Sequence, residues 1–184
     1  MLSTRQRLFG IFCSFAKLAL RAAVFGAISL STQTPAFSLP SEDAAYFCTV
    51  LFSGGISYDS FSKQWGSAKF RPSEKFVLKL RFLQEREEPP YVPSLPPTKY
   101  KDFQISLTEA GKNTSRPCHN TSNAKLPVSI DEYENAFCTS SLSGYRFNLK
   151  ANRFLTWYAI GYVDGSDDNE NTPSMGGGTC TKIN

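Results

Sequence analysis

Apolar and polar residues alternate along much of the chain beyond residue 40. Within 74–84 the polar side chains of Lys79 and Arg81 fall on one face, and the other face carries Phe76, Leu78, Leu80 and Phe82. Residues 102–108 repeat the pattern, with one face made of Phe103, Ile105 and Leu107. A period of two is typical of a β-strand with one buried face. Both stretches are therefore predicted to be strands.

The last third of the chain predicts a hairpin. Its first arm alternates from Tyr145 to Leu149, and 150–152 supply the turn. The second arm carries on one face Phe154, Thr156, Tyr158, Ile160 and Tyr162. Leu155 and Trp157 lie on its other face, so both faces of this arm are expected to be covered.

The remaining strands are shorter or less regular. They are predicted at 44–55, within 56–70, at 125–130 and at 178–183. Pro127 makes 125–130 an edge strand, since proline has no N–H for a ladder. Residues 129–137 are expected to form at most a turn or two of helix. Frequent short strands with turn residues between them predict an all-β fold, either a single antiparallel β-barrel or a sandwich.

One segment interrupts this rhythm. Residues 85–98 contain five prolines after a charged run. Proline-rich segments are stiff and extended, and long connections lie on the surface. A long exposed loop is therefore predicted at 85–98.

Residues 1–38 have the features of a secretory signal peptide. All charges before residue 22 are basic, 22–30 are apolar, and the small residues Ala36 and Ser38 precede the expected cleavage point. The apolar run is shorter than the twenty or so residues that span a bilayer. We expect export to the periplasm or the medium, and the alternative is an uncleaved N-terminal membrane anchor.

Cleavage would change the charge of the protein. The full chain has 20 basic and 16 acidic residues, but four of the basic residues precede residue 39 and none of the acidic ones does. Residues 39–184, predicted to be one domain, are thus formally neutral. A neutral domain gives no reason to expect a nucleic-acid partner, and membrane contact is expected only through an uncleaved leader.

Four cysteines remain after residue 38, an even number that predicts two disulfides in an exported chain. The preferred pairs are Cys48–Cys180, in the first and last strands, and Cys118–Cys138, around a short excursion. The first and last strands of a closed sheet are neighbours, which favours the first pair. The two other ways of pairing four cysteines stay open. The glycines at 176–178 are expected to give the chain freedom to enter its last strand.

An acidic cluster near the C-terminus is a candidate calcium site, formed by Asp164, Asp167, Asp168 and Glu170. Calcium prefers several hard oxygen ligands at close spacing. The spacing here departs from the EF-hand pattern, however, and the same residues are typical of a solvated hairpin turn. The turn is the favoured interpretation, and no cofactor other than calcium is suggested.

Few residues suggest catalysis. The single histidine, His119, has no second histidine to share a metal, and Cys118 beside it is expected to be oxidised. Carboxylate pairs such as Glu87 with Glu88 lie in predicted loops, although carboxylates distant in sequence can meet in space. The chain also has two N-x-[ST] sites, at Asn113 and Asn120, which carry glycans in some secretory pathways.

Aromatic residues offer a candidate ligand pocket. Trp65, Trp157, Tyr46 and Tyr58 could line one, together with Tyr91. Aromatic residues at a period of two are more often core residues, so the core is the favoured interpretation of this set.

The segments 69–82, 145–165 and 176–183 resemble small exported bacterial proteins that share a signal peptide, aromatic strands and a final G-x-C segment. This resemblance implies an exported β-domain but no activity. A more distant similarity is to calycin-like barrels such as lipocalins and periplasmic lysozyme inhibitors. The chain lacks the lipocalin G-x-W signature and the inhibitors' Ser-Ala-Ser-Gly segment, so this similarity implies only a fold class.

Three functions follow as hypotheses. The first is a non-catalytic exported binding or inhibitor module, whose partner is a small apolar ligand inside the barrel or an envelope or extracellular protein. The second is a cell-envelope structural or calcium-dependent accessory protein that uses 164–170. The third is a small hydrolase with spatially paired carboxylates, which requires a strongly perturbed carboxyl pKa in a cleft.

Overall fold

The computed structural model describes residues 41–183, and the predicted signal segment 1–38 lies outside them. The described residues contain ten strands and one 3₁₀ turn at Tyr162–Asp164. None of the described residues forms a helix long and apolar enough to cross a membrane. The strands are β1 (Ala44–Asp59), β2 (Gln64–Phe70), β3 (Lys75–Glu88), β4 (Thr98–Glu109), β5 (Ser115–Asn120), β6 (Val128–Asp131), β7 (Asn135–Ser140), β8 (Ser143–Asn148), β9 (Arg153–Tyr158) and β10 (Ser174–Lys182).

Eight of these strands close into an antiparallel β-barrel, and β2 and β6 are additions to it. Around the barrel the order is β1, β3, β4, β5, β7, β8, β9 and β10, and β10 pairs with β1 to complete the circle. β2 pairs with the part of β1 that extends beyond β3, and β6 pairs with β4. The predicted all-β fold is confirmed, and of the two architectures it is the barrel.

Side chains fill the barrel interior. The alternating positions of β3 and β4 point inwards, and Leu78, Leu80, Phe103 and Ile105 are almost fully buried. Phe76, Phe147 and Phe154 add a ring cluster in which the Phe76 and Phe154 centroids lie 5.2 Å apart at 78°. Edge-to-face pairs of this kind stabilise a core beyond the area they bury. The interior is thus a packed core for most of its length.

Both preferred disulfides are confirmed. Cys48–Cys180 joins two directly paired residues of β1 and β10, the strands that close the barrel. Cys118–Cys138 joins β5 to β7, which pair through only two residue pairs. Cys48–Cys180 therefore reinforces the pairing of two strands that are far apart in the sequence. Cys118–Cys138 reinforces the pairing of two strands whose ladder is short.

The glycines at 176–178 lie inside β10. The prediction that they form a flexible entry to this strand is therefore wrong. A side chain at Gly178 would overlap the carbonyl of Thr49, and one at Gly177 would overlap the ring of Phe52. Glycine at these positions lets β10 approach β1 closely enough to close the barrel.

Three boundaries differ from the predictions. β3 continues to Glu88, so the connecting loop is 89–97 and does not begin at 85. Glu85 and Glu87 stay in the strand because they face Lys101 and Lys99 across β4. Residues 129–137 form strands β6 and β7 with a turn between them, and no helix. β9 ends at Tyr158, which leaves 159–173 as a loop.

Candidate functional site: the mouth of the barrel

One end of the barrel is open and is formed by five connections, which are the β1–β2 hairpin turn, the β2–β3 link, the β4–β5 turn, the β7–β8 turn and the β9–β10 loop. Antiparallel pairing brings them to the same end. They surround a cavity of about 1010 Å³, here called the mouth. Residues along its wall include Val50, Phe70, Arg71, Glu74, Lys75, Phe76, Leu107, Glu109, Arg116, Ser143, Tyr145, Thr156, Trp157, Tyr158 and Ser174.

Aromatic rings and hydroxyl groups form the floor of the mouth. The Phe76 and Tyr145 rings meet edge to face, with centroids 6.1 Å apart. Thr156, which faces Tyr145 across the β8–β9 ladder, and Ser143 also line the cavity and supply hydroxyl groups. Burial raises the pKa of Tyr145, and the negative charge of Glu74 raises it further. Tyr145 thus stays protonated at neutral pH, a neutral donor and acceptor at the base of the mouth.

Charged side chains line the rim. The guanidinium of Arg116 lies 3.1 Å from a carboxylate oxygen of Glu109, and Lys112 pairs with the same carboxylate. The hydrogen bond from Lys112, with the charges of Lys112 and Arg116, lowers the pKa of Glu109. A lowered pKa keeps the carboxylate ionised, whereas a general acid requires the reverse. The rim can therefore form ion pairs with a ligand.

The β9–β10 loop braces the β1–β2 hairpin beside the mouth. Asn169 donates to the carbonyl of Tyr58 and accepts from its N–H, both at 2.8 Å. Trp65 Nε1 donates to a carboxylate oxygen of Asp167 at 2.9 Å. The Trp65 ring also lies 5.6 Å from the rings of both Tyr58 and Tyr162. The hairpin is thus held from one side by side chains of the loop.

The predicted calcium residues act within this loop. Asp164 accepts the N–H of Ser166, which lowers the pKa of its carboxyl group, and Asp168 accepts the N–H of Glu170. Asp167 holds Trp65. No group of three or more metal-binding side chains is brought together in 41–183. Calcium binding by Asp164, Asp167, Asp168 and Glu170 stays a prediction, which melting with and without a chelator would test.

The four aromatic residues of the predicted pocket do not share one cavity. Tyr46 is buried in the barrel interior, where burial raises its pKa. Tyr58 and Trp65 face each other on the hairpin. Of the four, Trp157 alone lines the mouth. Tyr91 is fully exposed in the loop between β3 and β4.

Sequence reasoning missed most residues of the mouth because it treated alternation as a signal for the core alone. The inward face of β4 continues from Leu107 to Glu109, and that of β5 from Cys118 back to Arg116. A polar residue that replaces an apolar one at the end of an inward face indicates where a barrel opens to solvent. This signal was present in the sequence.

The other candidate residues from the sequence are bonded to other groups or are exposed. Cys118 is in a disulfide, so it cannot act as a thiolate beside His119, which is exposed. The Asn120 amide donates to the carbonyl of Pro127 at 2.9 Å and its oxygen accepts from Ser122 at 2.9 Å. A glycan on Asn120 would attach to the amide nitrogen that donates to Pro127, whereas Asn113 is exposed.

A buried carboxylate that the sequence did not predict lies outside the mouth. Asp102 accepts from Gln84 at 3.0 Å, from Ser129 at 2.7 Å and from Arg86 Nε at 3.1 Å. Burial alone would raise the pKa of Asp102, but these hydrogen bonds and the Arg86 charge outweigh it and lower the pKa. The network joins β3, β4 and β6, so we assign Asp102 a structural role.

Comparison with known proteins returned no match: no family model, no curated protein and no solved structure is detectably similar to this chain.

Proposed function

We propose that this protein is exported and acts as a non-catalytic protein-binding module that holds its partner at the mouth of the barrel. The observation that carries the proposal is a wide polar cavity at one end of a barrel whose interior is otherwise filled. Concave sites with a few convergent polar groups are the usual places for ligands.

Exposed apolar side chains around the mouth favour a protein partner. Phe61, at the tip of the hairpin, is 96 % exposed, and Val163, on the β9–β10 loop, is 82 % exposed. Leu142 and Tyr162 are also largely exposed at this end. These side chains are available to a partner bound at the mouth. A small apolar ligand inside the barrel is less well supported, because side chains fill the interior.

Export is supported by the covalent structure. Both disulfides join cysteines that are almost fully buried, and such bonds form and persist in oxidising compartments. The leader at 1–38 provides the route. The periplasm and the medium both satisfy this requirement.

Site-specific photo-crosslinking tests the proposal. p-Benzoylphenylalanine replaces Ser73, on the rim of the mouth, or Thr179, on the outer wall, in protein produced by its own cells. We expect one protein adduct from position 73 and none from position 179. Equal adducts from both positions, or none from either, would contradict the proposal. A small molecule retained in native mass spectra, without any protein adduct, would favour the small-ligand hypothesis instead.

A further inference from the structure

β2 has one unpaired edge. Its seven residues pair with β1 on one side, and within 41–183 no strand pairs with the other side. An unpaired edge presents a row of N–H and C=O groups to which another strand can bond. The edge borders the mouth, since Phe70 of β2 and its cross-strand partner Ser53 both line the cavity.

The hydrogen bonds of β1 show which groups of β2 face outwards. Ile56 donates its N–H to the carbonyl of Pro173, and Tyr58 uses its N–H and carbonyl to bind Asn169, so both residues turn their backbone away from β2. In an antiparallel pair, opposite residues either bond each other or both point away. The partners of Ile56 and Tyr58 are Ser67 and Trp65. Their N–H and C=O groups, and those of Lys69 two residues further on, therefore point outwards.

This edge has few of the features that usually prevent an exposed strand from pairing with another chain. Proteins protect edge strands with proline, bulges, inward charges or several lysines. β2 contains no proline, its register with β1 has no bulge, and Lys69 is its one charged residue. Small residues at 66–68 leave the backbone accessible, and a side chain added at Gly66 would meet open space.

The charge around β2 favours some partner strands over others. Lys63, Lys69 and Arg71 lie on the strand or within one residue of its ends, and the sequence has no acidic residue between Ser60 and Ser73. The carboxylates that do approach β2 are Asp59, opposite Gln64, and Asp167, at the Trp65 indole. They belong to β1 and the β9–β10 loop, and each already accepts a hydrogen bond. A strand with carboxylates would be attracted here, and a basic one repelled. Residues 1–40 contain no acidic residue, so the charge does not suit the chain's own N-terminal segment.

A second copy of the chain fits less well. Two β2 edges paired antiparallel about Ser67 would place Lys63 of each copy opposite Arg71 of the other. Like charges directly across a ladder are destabilising. The edge thus disfavours self-pairing and favours an acidic strand.

We infer that β2 binds an acidic, extended segment of the partner protein as an added antiparallel strand, with the outward backbone groups of Trp65, Ser67 and Lys69 as its hydrogen-bonding partners. This inference rests on the proposed function and specifies the class of partner and the mode of binding. Main-chain bonds would supply affinity, and Lys69 and Arg71 would select carboxylates.

A pair of synthetic peptides tests the inference on the full chain. The acidic probe is acetyl-Thr-Glu-Val-Glu-Val-Glu-Thr-amide, and the matched control has lysine in place of each glutamate. We expect the acidic peptide to bind about tenfold or more tightly than the control, and to weaken as salt rises. Binding should slow hydrogen exchange at the amides of Ser67 and Lys69. The amides of Gly66 and Ala68 should change little, because they already bond to β1.

Two variants separate strand addition from simple charge attraction. Ser67→Pro removes one outward N–H, which an edge strand tolerates, and should weaken binding of the acidic peptide about tenfold. Ser67→Ala keeps that N–H and should bind as the wild type does. Unchanged exchange at Ser67, or equal affinity in Ser67→Pro with its fold intact by circular dichroism, would overturn the inference. Sedimentation that shows a dimer lost in Ser67→Pro would assign the edge to a second copy and overturn it as well.

The same variant distinguishes this inference from the proposed function. If the adduct from position 73 persists in Ser67→Pro, the mouth binds its partner without strand addition, and the inference alone fails. If no adduct forms even in the wild-type background, the proposed function itself fails.

Discussion

The indole ring of Trp157 occupies the space that a side chain at Gly144 would fill, because the two residues face each other across β9 and β8. An aromatic ring over a cross-strand glycine covers backbone that would otherwise be exposed. Trp157 also lines the mouth, so this contact fixes one wall of the candidate site.

Gly144→Ala should therefore destabilise the protein by about 2 kcal/mol, because the added methyl group displaces the indole. Gly66→Ala is the matched control, since a side chain there meets nothing within 4 Å. Urea unfolding followed by tryptophan fluorescence compares the two. Equal stabilities would mean that Trp157 moves away from Gly144 without cost.

The free energy of unfolding should decrease as the pH is lowered, because the folded protein is stabilised by ionised Asp102. The pKa of Asp102 is lowered in the folded protein, so its contribution is complete above the unfolded pKa of about 4 and is lost as pH falls through the folded pKa. Asp102→Asn should cost about 2–3 kcal/mol at pH 7, since it removes the buried charge that accepts from Arg86, Gln84 and Ser129 and leaves Arg86 paired with Glu88 alone. The difference from wild type should shrink by pH 3.

Unfolding free energies of both proteins at the two pH values measure this effect. Glu87→Gln serves as the control, because Glu87 pairs with Lys99 on the surface and exposed pairs contribute little. A gap between wild type and Asp102→Asn that stays constant with pH would show that Asp102 is not ionised in the folded state.

The two disulfides should contribute unequally. Cys48 and Cys180 are 132 residues apart and Cys118 and Cys138 only 20. By loop entropy, replacing the first pair with alanine should cost about 5 kcal/mol and replacing the second about 3 kcal/mol. Melting temperatures of the two double variants test the order. The reverse order would indicate that the short β5–β7 ladder depends on its disulfide more than the closing strands do.

The brace between the β9–β10 loop and the hairpin should depend on Asn169. Asn169→Ala removes both bonds to the Tyr58 backbone and should speed hydrogen exchange at the Tyr58 amide about tenfold, as a hydrogen bond contributes about 1 kcal/mol. Asp168→Asn is the control, because the hydrogen bond that the structure describes for Asp168 stays within its own turn. Unchanged exchange in Asn169→Ala would show that ring contacts alone hold the hairpin.

The strands and disulfides were predictable because they depend on local alternation and on the neighbourhood of chain ends in a closed sheet. A period of two alone was enough to predict the strands that contain Phe76 to Leu80 and Phe103 to Leu107. The extension of β3 to Glu88 was hidden because its partners, Lys99 and Lys101, lie beyond a proline-rich loop. Charge pairs between strands give no periodic signal within either strand.

The candidate site was less predictable, because it is assembled from five connections distant in sequence. Composition favours the interpretation of 164–170 as a turn, but nothing local indicates that Asn169 binds Tyr58. Asp102 lies on the polar side of the alternating pattern, and it is buried because β6 pairs alongside β4 there and Gln84, Arg86 and Ser129 bond to its carboxylate. Contacts of this kind follow from topology, which a single sequence does not provide.

Closure through β1 and β10 imposes an order on maturation. Ribosomes make β1 before β10, so the edge of β1 that β10 covers remains unpaired until β10 has been made. The Cys118 and Cys138 thiols are close in sequence and can oxidise early, whereas Cys48 must wait for Cys180. An intermediate with one oxidised pair and an open seam should therefore accumulate during folding. This is the species on which chaperones and disulfide isomerases would act.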